Sequence, residues 1–258
     1  MEISKAKIKT YASLGMRKHR VSQGLFMAEG VKCVLETLPF FGLEALVATP
    51  ALLQERGVPA GVDPQRVYTA SPRGMEQLSS LSTAPQMIAV YRMPELAVPD
   101  PADISGELLL ALDGVQDPGN LGTIMRAADW FSIRHIIASP QTVDIFNPKA
   151  VQATMGAIGR VRICYTELPA YLERYRADTG LPIYGTLLDG KSLYQTRLTP
   201  KGIIVMGNEG RGLTPQVREL VCSPLLIPSY PPEAATVESL NVAMATAITL
   251  SEFRRRLM

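Results

Sequence analysis

Residues 108–131 constrain the fold of this chain more than any other stretch. Leu108-Leu109-Leu110-Ala111-Leu112 is an apolar run with the length and character of a buried strand. Asp117-Pro118-Gly119-Asn120 follows as a dense turn signal. From Leu121 the spacing becomes helical, with Ile124, Ala127, Ala128 and Phe131 on one face. Asn120 is then the expected N-cap, its side-chain oxygen accepting a backbone N–H of the first turn. Arg126 stands about one and a half turns further on. A strand edge, a glycine-bearing turn and a helix N-terminus together suit an anionic or polar ligand, although an ordinary βα unit would read the same way.

The rest of the chain repeats this alternation. Beyond residue 106, strands are expected at 107–112, 134–138, 161–164, 182–188, 202–206 and 225–227, and helices at 121–131, 147–155, 168–177, 214–221 and 239–256. Apolar runs interleaved with helical patterns imply a mostly parallel sheet covered by helices. The first ninety or so residues alternate helix and strand on their own, with the basic stretch 17–23 expected to be irregular. Pro94, Pro99 and Pro101, among acidic residues, read as a linker. The resulting division is a small α/β domain at 1–97, a linker at 98–106 and a larger α/β domain at 107–258.

Charge adds one local signal. The 258 residues carry a formal net charge of only +2, yet residues 1–32 hold seven Lys and Arg against two Glu, a balance of +5. Lys18, Arg20 and Lys32 belong to this cluster, which can read phosphates or can be a solvated helix face. Three widely spaced cysteines and two histidines, without a CxxC pair, argue against a zinc site. The N-terminus lacks the apolar core of a signal peptide, and no apolar run is long enough to span a bilayer. A soluble cytoplasmic protein, with no membrane partner, is expected.

Three further clusters bear on chemistry. Gly185-Thr-Leu-Leu-Asp-Gly190-Lys191-Ser192 matches the phosphate-loop pattern. Its bulky Leu187 and Leu188, and Thr199-Pro200 soon after, leave no small-residue loop followed by a long helix, so nucleotide hydrolysis is disfavoured. Gly207-Asn208-Glu209-Gly210-Arg211-Gly212 follows the apolar run Ile203–Met206 and precedes Thr214-Pro215, a helix start. Glu209 repels phosphate and suits a cation or a hydroxyl donor better. Finally Ile227-Pro228 leads through a long segment to Ser239-Leu240-Asn241, where Ser239 is the expected cap of the last helix.

In this order the three clusters resemble the SpoU (TrmH-like) group of the SPOUT methyltransferases, over roughly residues 107–258. The matching residues are Asn120-Leu-Gly-Thr-Ile-Met-Arg126, Met206-Gly207-Asn208-Glu209-Gly210, and Ile227-Pro228 with Ser239-Leu240-Asn241. More weakly, Phe26-Met-Ala-Glu29-Gly30-Val-Lys32 and the strand 86–91 resemble the small RNA-binding domain that precedes many such enzymes. The resemblance implies transfer of a methyl group from S-adenosylmethionine to a ribose 2′-hydroxyl of RNA, ribosomal rather than transfer RNA. It also implies a homodimer and a C-terminal trefoil knot. Cofactor positions would fall on Leu187, Gly207, Asn208, Gly210, Ile227 and Leu240. Catalytic positions would fall on Asn120, Arg126, Glu209, Ser239 and Asn241. The segment 229–238 is longer than is usual in the family and lacks glycine, which bears on cofactor binding and suggests a mobile loop. A non-catalytic RNA-binding protein of the same fold is the alternative.

Overall fold

The computed structural model describes residues 1–231, 237 and 239–257. Most of the segment 229–238 singled out above lies outside the described residues. In chain order the first half contains α1 (Lys5–Ala12), α2 (Arg17–Gln23), β1 (Leu25–Glu29), α3 (Val31–Thr37), β2 (Leu43–Ala48), α4 (Pro50–Arg56), β3 (Val67–Thr69), α5 (Pro72–Leu78) and β4 (Met87–Arg92). The second half contains β5 (Leu108–Asp113), α6 (Pro118–Trp130), β6 (His135–Ala138), α7 (Pro148–Thr154), β7 (Arg162–Tyr165), α8 (Leu168–Thr179), β8 (Ile183–Ser192), β9 (Gly202–Gly207), α9 (Pro215–Leu220), β10 (Ser223–Leu226) and α10 (Val242–Arg255). No helix among the described residues is long and apolar enough to cross a membrane.

The chain forms two compact units. One comprises Met1–Glu95 together with Asp144–Arg160; the other comprises Leu96–Val143 and Val161–Met258. The sequence pattern gave no sign that 144–160, with α7, leaves the larger unit to join the smaller one.

In the smaller unit four strands lie in the order β1-β4-β2-β3, with β4 antiparallel to both neighbours and β2 parallel to β3. Leu14, Met27, Val47, Met75, Leu78 and Val90 form one buried cluster with Ala45 and Ile88. Phe26 stacks edge-on against Phe41 and also meets Tyr91 and Phe146, the last from the 144–160 excursion. Glu29 is a buried carboxylate at the end of β1; it accepts hydrogen bonds from the Ser79 and Ser80 hydroxyls and from the Ser80 N–H. The excursion packs tightly: a Cβ built on Gly159 would fall 2.3 Å from the Phe40 ring.

The basic segment 17–23 is helical rather than irregular. Gly24 closes it in the left-handed region at φ 63°, where a side chain would be strained, and Arg20 folds back onto the preceding turn. Arg20 is only 2% exposed. Its guanidinium donates to the carbonyls of Leu14 and Gly15, each at 2.9 Å, and pairs with Asp144 at 2.7 Å. The expectation that Arg20 grips RNA is therefore corrected, because its charge is spent on a fold contact. Lys18 and Lys32 are exposed.

The larger unit is a six-stranded sheet in the order β10-β8-β9-β5-β6-β7, and every pairing in it is parallel. This is the α/β fold with a mostly parallel sheet that the alternation predicts. β5 is buried along its whole length, which is why its sequence is apolar up to the terminal Asp113. The proline-rich stretch after residue 96 packs onto this unit: Ile104 joins its core, and Tyr171 donates to the Pro99 carbonyl. From β5 the chain moves outward to β6 and β7, then crosses back to the other side of the sheet. The order therefore reverses between β5 and β9, and ligands of open α/β sheets bind beyond the strand ends at such a point.

Candidate active site

The carboxyl ends of β5 and β9 supply the loops around that point. After β5 the chain turns at Gly114, in the left-handed region at φ 75°. The Gly114 N–H donates to the hydroxyls of Ser139 and Thr142. Asp113 is buried and accepts the N–H of Thr214 at 2.7 Å, tying β5 to the start of α9. The first turn of α6 is capped by Asp117, whose Oδ1 accepts the Asn120 N–H at 2.7 Å, with Pro118 in the first helical position. Asn120 is thus not the cap. Asp-Pro is itself a start signal, and it places the cap three residues earlier than the onset of apolar spacing does.

Releasing Asn120 from capping leaves its side chain for the site. Asn120 Nδ2 donates to Glu209 Oε1 at 3.0 Å, and Asn120 Oδ1 accepts from Asn241 Nδ2 at 2.9 Å. Glu209 also accepts the N–H groups of Gln116 and Asp117, each at 3.2 Å. Burial of its carboxyl tends to raise the pKa, but these hydrogen bonds outweigh that and hold it below the ordinary carboxylate value. Asn208 Nδ2 donates to the Gly114 carbonyl at 2.7 Å, and its Oδ1 accepts from the N–H groups of Gly210 and Arg211. Asn241, not Ser239, caps α10, its Oδ1 accepting from Ala243 and Met244. One hydrogen-bonded chain, Glu209–Asn120–Asn241, therefore joins all three sequence clusters.

Beside it lies a cavity of about 480 Å³. Leu187, Gly207, Asn208, Gly210, Ile227 and Leu240, the six positions singled out for a cofactor, all line it, as do Glu209 and Ser239. Its tight turns depend on glycine. A Cβ at Gly207 would lie 2.4 Å from the backbone of Gly212, and one at Gly190 would lie 2.6 Å from that of Leu225, where β8 and β10 meet. The phosphate-loop pattern 185–192 belongs to strand β8, whose register with β10 jumps from Gly185 to Lys191, and no helix follows it as a phosphate loop requires. Thr186, Asp189 and Arg218 also border the cavity, and the last two form an ion pair. No local pattern marks these residues, because they reach the cavity through tertiary packing: Thr186 and Asp189 from β8 where its register shifts, and Arg218 from α9.

Arg126 stands apart. It is exposed on α6, and its side chain makes no hydrogen bond or ion pair among the described residues. Six residues on from Asn120, at roughly 100° per residue, it points about 120° around the helix from it.

A parallel sheet with a glycine-lined cavity at its reversal point, closed by carboxamide and carboxylate side chains, defines a ligand-binding α/β protein built for a small polar guest. Comparison with known proteins narrows this class. The family model described as SpoU rRNA Methylase family matches residues 107–251, and an MRM3-like substrate binding domain matches residues 5–89. The chain belongs to the SpoU rRNA methylase family. It is 30% identical, over 96% of both chains, to the 23S rRNA (guanosine(2553)-2′-O)-methyltransferase RlmP of Bacillus subtilis. A solved TrmH-family protein from Porphyromonas gingivalis superposes with a TM-score of 0.87 and 40% identity, covering 99% of this chain and 100% of that one. The AdoMet-bound rRNA methyltransferase of Sinorhizobium meliloti gives a TM-score of 0.85 at 28% identity, covering 100% and 98%.

Proposed function

We propose that this chain transfers a methyl group from S-adenosylmethionine to a ribose 2′-hydroxyl of ribosomal RNA. The observation that carries the reading is the meeting of three separate sequence clusters at one cavity through the Glu209–Asn120–Asn241 chain. The cavity fits the cofactor in size and chemistry. Its 480 Å³ falls within the roughly 300–1,000 Å³ of small-molecule sites. Leu187, Ile227 and Leu240 offer apolar surface for a flat ring, the 207–212 turn offers bare backbone, and the ionised Glu209 favours a cationic guest.

When bound, the cofactor supplies an electrophilic methyl group on a sulfonium centre. The chain's own part is positioning and charge. Glu209 is loaded with donors and held ionised, so it serves as an anchor for Asn120 rather than as a proton acceptor. Arg126 has five N–H donors and hardly deprotonates, so it holds a phosphate and stabilises charge developing on the attacking oxygen. Ser239 and Asn241 orient the ribose at the cavity mouth, where the 2′-hydroxyl would release its proton to solvent water as its oxygen takes the methyl group and the donor leaves as a neutral thioether.

The remaining expectations belong to the same reading. The unit bearing α1–α5 presents RNA through Lys18 and Lys32. The chain acts in the cytoplasm as a homodimer with a knotted C-terminal region. Support for the dimer comes from Trp130 and Met244, 85% and 60% exposed on the neighbouring helices α6 and α10, an apolar exposure that suits a protein interface.

The decisive experiment maps ribose methylation across ribosomal RNA from cells with and without the protein. Loss of a 2′-O-methyl mark is expected. An unchanged map, together with no S-adenosylmethionine binding by calorimetry, would sink the proposal; binding without methylation would favour the non-catalytic alternative.

A further inference from the structure

Helix α6 ends under strain. Ser132 adopts φ 54°, a left-handed conformation that side-chain-bearing residues rarely take. Around it the Ile133 N–H returns to the Ala128 carbonyl at 2.8 Å and the Phe131 N–H to that of Ala127 at 3.0 Å. This closure ordinarily places glycine at the left-handed position. A serine there is strained, so the surroundings must hold it in place.

Arg254 on α10 does so. Its Nε donates to the Phe131 carbonyl at 2.8 Å and its Nη2 to the Ser132 carbonyl at 3.1 Å. Both acceptors are main-chain oxygens at a helix C-terminus, where a positive charge also meets the negative end of the helix dipole. At the opposite end, Asn241, the cap of α10, bonds Asn120 in the first turn of α6. The two helices therefore run side by side in the same direction and are tied at both ends. Asn120 lies at one tie, and Arg126 lies between them.

We infer that Arg254 is a positioning residue for methyl transfer, fixing the C-terminal end of α6 and so the placement of Asn120 and Arg126. The inference rests on the proposed role of those two residues. A misplacement of about 1 Å at a reacting centre can cost roughly 10²-fold in rate, so a loosened α6 should be visible in turnover while the cavity stays intact.

The test uses the full chain as wild type, Arg254→Ala, Arg254→Lys, Ser132→Gly and Arg254→Ala/Ser132→Gly. Each is assayed for turnover on an in vitro 23S rRNA transcript, S-adenosylmethionine affinity by calorimetry, and amide exchange at 128–133. Arg254→Ala should lower kcat by about 10- to 100-fold, leave cofactor affinity and KM within about twofold, and speed exchange at 128–133 but not in β5. Arg254→Lys keeps the charge without the fork and should fall between. Ser132→Gly removes the strain, so the double variant should recover part of the turnover lost in Arg254→Ala. Normal kcat in Arg254→Ala with a loosened helix end would overturn the positioning role. Unchanged exchange would overturn the tie itself. If Arg254→Ala folds poorly, Arg254→Lys decides: faster exchange with unaltered kcat overturns the role. A wild-type chain that binds no S-adenosylmethionine would instead overturn the functional reading, and exchange alone would then judge the tie.

Discussion

Helices α2 and α6 each carry an arginine that the sequence associates with RNA, and the two side chains have opposite fates. Arg20 on α2 is sealed in the smaller unit, with its guanidinium shared among Leu14, Gly15 and Asp144. Arg126 on α6 is exposed, with no such bond among the described residues. The difference follows from what surrounds each. Arg20 precedes a left-handed Gly24 and lies opposite a carboxylate brought in by the 144–160 excursion. Arg126 lies on the helix whose N-terminal turn is fixed by Asp117 and Glu209, so the fold does not need its charge. An arginine that the fold does not use is the better candidate for a ligand.

Substitution should break the symmetry of the pair. Arg20→Ala leaves Asp144 unpaired beside a buried gap and should destabilise the chain by about 3–5 kcal/mol, read by denaturant unfolding. Its effect on the RNA reaction should follow the folded fraction. Arg126→Ala should do the reverse, lowering turnover by roughly 10²–10³-fold with unfolding and cofactor affinity almost unchanged. A stable Arg20→Ala, or an active Arg126→Ala, would undo the contrast.

The comparison also shows which parts of the molecule were legible in the chain. Strand and helix order in the larger unit could be read because β5 and β9 are buried on both faces and so consist of apolar residues almost alone. The convergence of residues 120, 209 and 241 could be proposed only through the family resemblance, since they lie far apart in sequence and meet through strand order. Counting charge in residues 1–32 failed for Arg20, because its partner, Asp144, is 124 positions away in a segment whose return to the smaller unit no local pattern announces. The caps failed for a smaller reason. Apolar spacing points to Asn120, whereas the Asp117-Pro118 pair, with proline at the first helical position, is the stricter signal.

Two finer tests sharpen the contrast. Lys18 is exposed on the same short helix that buries Arg20, so Lys18→Ala should leave stability within about 0.5 kcal/mol. RNA affinity measured across salt concentrations should then show a slope reduced by about 1, and an equal slope would mean that RNA is held elsewhere. Glu209 gives the smallest effect. Its pKa is lowered in the folded chain, so the stability it adds is fully present above the unfolded value near 4.5 and is lost as pH falls through the lowered one. Glu209→Gln should flatten the acid limb of the unfolding curve. A curve that superposes on wild type below pH 4.5 would detach Glu209 from the network.

The glycines at the backbone crossings set limits on heredity as well as on geometry. Any single-base change in a glycine codon that yields another amino acid supplies a Cβ, and at Gly207 that atom would collide with Gly212 at 2.4 Å. Gly190 meets the Leu225 main chain at 2.6 Å, whereas a Cβ at Gly210 would find nothing nearer than 3.8 Å. In a randomised gene library selected only for soluble folded protein, positions 207 and 190 should stay glycine while 210 drifts. The surviving codons would trace where the chain passes closest to itself.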